Sequence, residues 1–79
     1  MSHDKLKRVF IEALGIAEDT DFKLLEYGMN EKWDSVAHMV LVARIEDSFD
    51  IMLDTDDVIG LSSYTVAVEI LKKQVKNFD

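Results

Sequence analysis

An all-α fold, a small bundle of three long helices and one short one, is what this sequence predicts. Apolar residues recur at three- and four-residue steps in successive segments, and no proline interrupts them. Hydrophobic residues also make up 48% of the 79 positions, enough for one modest core and too many for a disordered chain. Residues 1–79 are therefore expected to form a single domain.

The first helix is expected from about Asp4 to Leu14. Leu6, Val9, Phe10, Ala13 and Leu14 share one stripe, while Lys5, Lys7, Arg8 and Glu12 take the other faces. Gly15 tolerates the left-handed conformation that ends a helix, and Ile16 can fold back on the last turn in a Schellman-type stop. The stretch from Ile16 to Asp34 is irregular, with turn signals at Asp19-Thr20-Asp21 and at Gly28 and Asn30. Between them Phe22, Leu24, Leu25, Tyr27 and Met29 are too apolar for a free loop. This connector is expected to lie across the helix ends, with one helical turn near Phe22–Leu25.

The second long helix starts at Asp34 or Ser35 and runs to about Phe49. On a wheel of about 3.6 residues per turn, Met39, Val42, Ile45 and Phe49 fall in one arc, read as the core face. Val36, Val40, Ala43 and Asp47 fall in another. A helix needs only one face for its own core. The second stripe is therefore either the ordinary scatter of apolar residues on a surface or a recognition face for a partner. Asp34, Glu46, Asp47 and Asp50 would give that face a charged rim.

A short third helix is expected from Thr55 to Gly60, capped by Thr55, with Asp56 and Asp57 in the turn where the helix dipole favours negative charge. The last helix begins after Ser62 or Ser63 and continues to about Lys76. Tyr64, Ala67, Val68, Leu71 and Val75 form its apolar stripe, and Lys72, Lys73 and Lys76 lie at its C-terminal end.

Charge and composition exclude several functions. With 16 acidic and 9 basic residues the net charge is −7, which argues against nucleic acid as a partner and for partners with basic docking surfaces. The absence of cysteine excludes a disulfide framework, thiolate metal sites and an encoded nucleophilic thiol. His3 and His38 are too few and too far apart in sequence for a histidine metal site. The acidic run Asp50–Asp57 does not fit a calcium loop, because Thr55 falls where the loop needs glycine. The N-terminus is charged where a signal peptide needs apolar residues, and no apolar run approaches the roughly 20 residues of a membrane span. A cytoplasmic monomer without membrane insertion is the expectation.

Ser35 stands where the connector meets the second helix. Serine there is most often an N-cap, but Asp34 caps equally well, and no capping box forms because His38 follows three residues on. One hydroxyl is thus left for other work. The free N–H groups and positive dipole of a helix start also suit a phosphate. Ser35, His38 and Asp34 are the residue types of a hydrolase triad, yet neighbours on one helix turn cannot line up as nucleophile, base and orienter. Nor is there a Gly-x-Ser-x-Gly elbow. Catalysis is not expected. His38 is expected at the edge of the core, half-buried and hydrogen-bonded.

The run Trp33-Asp34-Ser35-Val36 resembles the Asp-Ser-Leu attachment motif of the acyl and peptidyl carrier proteins, with Val36 in place of leucine. The stretch from Val42 to Ile51 is similar to the end of that family's second helix. Thr55-Asp56-Asp57 and Ser62-Ser63-Tyr64-Thr65-Val66 resemble its third and fourth helix starts. The resemblance implies an acyl-carrier-like bundle that catalyses nothing. It implies that Ser35 accepts 4′-phosphopantetheine from coenzyme A through a separate, magnesium-dependent phosphopantetheinyl transferase. The arm's thiol would then carry acyl or aminoacyl groups as thioesters to activating ligases, synthases or transferases. Asp34, Val36, Val40, Ala43 and Asp47 would meet those partners. Ala37 and Val40 replace acidic residues typical of the fatty-acid carriers, and Trp33 is more similar to stand-alone carriers of polyketide, peptide or other specialised pathways. The competing expectation is a helical adaptor without a covalent cofactor, binding partners through the outward face of the second helix.

Overall fold

In a computed structural model, which describes residues 2–29 and 31–78, the chain forms four α-helices and one 3₁₀ turn. The helices are α1 (Ser2–Leu14), α2 (Ser35–Phe49), α3 (Thr55–Gly60) and α4 (Tyr64–Gln74), and the turn is Phe22–Leu24. No strand forms among the described residues; the pairing outside helices is an isolated antiparallel bridge between Glu26 and Ser63.

Helix α1 buries Leu6, Val9, Phe10 and Leu14 and packs chiefly against α2. Gly15 ends it at φ 68°, and its N–H donates to the Ile11 carbonyl at 2.9 Å. That single bond is the αL form of helix stop, not the Schellman pair expected from the sequence. Ile16 does fold back, buried against the core. The connector is pinned at several points. Phe22 and Leu25 are buried, Tyr27 N–H donates to the Ser62 carbonyl at 2.8 Å, and Tyr64 N–H donates to the Leu25 carbonyl at 3.2 Å. Leu24, Tyr27 and Met29 remain exposed. Of the turn signal near Gly28, Asn30 lies outside the described residues.

Phe10 is the aromatic hub of the core. Its ring meets those of Trp33, Tyr64 and Phe22 edge-on, with centroids 5.5, 5.3 and 6.3 Å away, the arrangement that ring quadrupoles favour. Trp33, which precedes α2, is one of the largest fully buried side chains.

Three expectations need correction. Met39 is 59% exposed, and Leu41, at 0%, takes its place in the core beside Val42 and Ile45. At about 3.6 residues per turn the buried arc follows positions 38, 41, 42, 45 and 49, and Met39 falls to one side of it. Thr55 does not cap α3. Asp54 does, accepting from the Asp57 N–H at 2.8 Å, and Thr55 becomes the first helical residue. Glu46 does not belong to an acidic rim, because its carboxylate turns inward to accept from the Leu53 N–H at 2.9 Å and fastens the α2–α3 loop. Helix α4 is capped by Ser63 through the Val66 N–H and ends at Gln74, two residues before the expected limit.

Candidate functional site

The head of α2 is built by three consecutive residues with separate tasks. Trp33 buries its indole against Phe10 and fixes the chain at the bundle end. Asp34 is extended (φ −103°, ψ −173°) and turns the chain into the helix. Its carboxylate accepts from the Ala37 N–H at 2.8 Å, while its carbonyl accepts the first helical bond from the His38 N–H at 2.8 Å. This is a complete N-cap. Ser35 is the first helical residue, exposed, and its hydroxyl makes no hydrogen bond among the described residues. Asp34 has taken the capping role that would otherwise engage that hydroxyl.

The residues around Ser35 fit a phosphate ester on its Oγ. The hydroxyl is open to solvent and uncommitted. The backbone N–H groups of Ser35 and Val36 have no acceptor among the described residues, so the first turn keeps unsatisfied donors and the positive end of the helix dipole for an anion. No Lys or Arg lies in this turn, so within it a phosphate would be met by backbone donors.

His38 sits one turn below Ser35 and is wholly engaged. The Trp33 indole N–H donates to His38 Nδ1 at 3.0 Å, and His38 Nε2 lies 2.8 Å from the Val58 carbonyl. An indole N–H only donates and a carbonyl only accepts, so these partners select the neutral ring with its proton on Nε2. The Trp33 and His38 rings are nearly coplanar (20°) with centroids 6.1 Å apart. That separation fits side-by-side rings joined through an in-plane hydrogen bond, not face-to-face stacking. Neither ring nitrogen is left for Ser35 or a group on it. The Asp34–Ser35–His38 set therefore does not assemble as a triad.

The outward face of α2 continues from Ser35. Val36 is 73% exposed and Val40 40%, and Ala43 and Asp47 are also exposed. Met39, assigned to the core by its spacing, joins this strip. Ile59 of α3 is a further exposed apolar residue. A surface groove of about 240 Å3, lined by Tyr27, His38, Val58, Ile59, Leu61 and Ser62, lies between α2 and α3. Among the described residues no cluster of His, Asp or Glu is disposed to hold a metal ion, and no helix is long and apolar enough to cross a membrane.

Sequence reasoning singled out Ser35, Asp34, Val36, Val40, Ala43 and Asp47, and the structure brings all six to one helix and its cap. It missed Trp33 as the anchor and Val58 as the partner of His38. Trp33 lies outside any periodic segment, and the Val58 contribution is a backbone carbonyl, which no side-chain pattern reports.

Comparison with family models, with curated proteins and with solved structures gave no match to this chain.

Proposed function

We propose that this chain is a carrier protein of the acyl or peptidyl carrier kind, modified on Ser35 with 4′-phosphopantetheine. One observation carries the reading: an exposed, uncommitted hydroxyl at the first position of a long helix whose cap is supplied by the preceding aspartate. When bound, the group supplies a terminal thiol that holds an acyl or aminoacyl unit as a thioester, chemistry for which a chain without cysteine has no side chain.

The protein's own residues perform binding and presentation. Ser35 Oγ is the attachment atom. Asp34 holds the turn that presents it, and Trp33 and His38 keep that turn fixed to the bundle. Val36, Met39, Val40 and Ala43 form an apolar docking strip, and Asp47 adds charge to attract partners with basic surfaces. The partners in this reading are a phosphopantetheinyl transferase and the ligases, synthases or transferases that load and unload the arm. The chain itself catalyses no step.

Intact mass after incubation with coenzyme A and a phosphopantetheinyl transferase tests the proposal. One added arm, absent in Ser35→Ala, is expected. An unchanged wild-type mass overturns the carrier reading and favours the cofactor-free adaptor, for which the same exposed strip is the supporting observation. Val40→Glu is expected to change stability by less than about 0.5 kcal/mol, as exposed substitutions do, while weakening the docking of loading enzymes. Retained affinity would show that partners dock elsewhere.

A further inference from the structure

We infer that Trp33, His38 and the Val58 carbonyl form a latch that closes the core to cargo, so that a group carried from Ser35 stays on the outside of the protein. This rests on the carrier reading and names the kind of load that reading admits.

The latch bridges two elements. Trp33 is 1% exposed and fills the space between Phe10 and Tyr27, with ring centroids 5.5 and 6.0 Å away. Its N–H is held by His38, which in turn donates to Val58 of α3. No residue of α3 is fully buried, and besides the packing of Val58 against the core this hydrogen bond ties α3 to the head of α2. The groove between α2 and α3 is lined by His38 and Val58 and not by Trp33, which is buried in the core, so the latch runs from groove to core. Deeper, the seam among Ile45, Leu53, Leu61, Ala67, Ile70 and Leu71 has no void able to hold even a water.

An alkyl chain entering from Ser35 would have to displace the indole or part α3 from α2. Displacing Trp33 exchanges one apolar group for another and brings little net gain from burial. It also leaves the indole N–H and the His38 Nδ1 acceptor to find new partners, and a buried donor left unpaired opposes the exchange. Exclusion follows. A long alkyl cargo would then remain in water, and each exposed methylene disfavours it. The matching cargo is a short or polar acyl group, such as one bearing hydroxyl, amino or carboxyl substituents.

The test loads wild type and His38→Ala with acetyl, hexanoyl and decanoyl arms from the corresponding coenzyme A thioesters. Melting temperature and the 13C-methyl shifts of Ile45, Leu61 and Leu71 are then read. In wild type all three loads are expected to give the same melting temperature and unchanged core methyl shifts. In His38→Ala, where both latch bonds are gone, stability and core shifts are expected to change with chain length. Chain-length dependence in wild type overturns the inference while leaving the carrier reading intact. Its absence in both proteins shows that His38 is not what closes the core. Should the alanine variant not fold, His38→Gln replaces it, and the wild-type series decides on closure by itself. Failure of wild type to load any arm overturns the carrier reading, and this inference with it.

Discussion

Two helix starts in this protein share one local design and differ in what surrounds it. Asp34-Ser35 opens α2 and Asp54-Thr55 opens α3. In each, the aspartate caps by accepting from the N–H three residues on, at 2.8 Å in both, and a hydroxyl residue follows, exposed and without a hydrogen bond among the described residues. An open hydroxyl beside an aspartate cap therefore does not define a site. The helix behind Ser35 has 15 residues and the one behind Thr55 has 6, so the dipole and its supporting packing differ. Ser35 is followed by Val36, Ala37 and His38; Thr55 is followed by Asp56 and Asp57, whose charge repels a phosphate. Trp33 before the first pair is 1% exposed, whereas Leu53 before the second is only partly buried.

The comparison is broken most directly by modification. Loading by a phosphopantetheinyl transferase is expected to vanish in Ser35→Ala and to be unaffected in Thr55→Ala, read by intact mass. Modification at Thr55 would mean that the shared design is sufficient and the surroundings irrelevant. The anchors come next. Trp33→Ala should cost about 3–5 kcal/mol, the range for large aromatic truncations in a core, and Leu53→Ala clearly less, both measured by denaturant unfolding. Equal losses would deny Trp33 its anchoring role.

The caps should differ by less. Asp34→Ala is expected to lose about 1 kcal/mol, the usual worth of an N-cap. Asp54→Ala should lose less, since α3 buries no residue fully and has less packing to lose when its cap is removed. A larger loss at Asp54 would make α3 the better supported of the two starts. The smallest effect concerns a third start, at α4, where the residue after the cap, Tyr64, is buried. Burial, and secondarily the negative charge of Asp4, push its phenol above the ordinary tyrosine value. The sign follows from linkage: the folded state favours the protonated phenol, so the stability from Tyr64 is fully present below the unfolded value of about 10. It is lost as pH rises through the higher folded value. Alkaline absorbance titration should show a tyrosine ionising late, with Asp4→Asn producing only a minor downward change. Ionisation of Tyr64 at the ordinary tyrosine value would contradict this.

Much of the fold was legible because period and punctuation are local. The stripe of α1, its stop at Gly15, the turn at Phe22 and the apolar face of α4 each follow from neighbours within a few residues. The candidate site was equally legible, since Asp34, Ser35 and the strip Val36, Val40 and Ala43 are contiguous in sequence or one or two turns apart. Less readable was α2, which carries Val36, Met39, Val40, Leu41 and Val42 around much of its circumference. Periodicity sets the angles between such residues and leaves open which arc faces inward.

The sequence by itself determined the helices, the approximate place of their ends and the hydroxyl left uncommitted at Ser35, because hydrogen bonding within a turn and the spacing of apolar residues are short-range. Only the tertiary structure chose Leu41 over Met39 for the core, drew Trp33 into it and joined His38 to the Val58 carbonyl 20 residues away. Those outcomes depend on how α1 and α3 dock against α2, and docking is decided by shape and by long-range donor–acceptor pairing that no local pattern encodes.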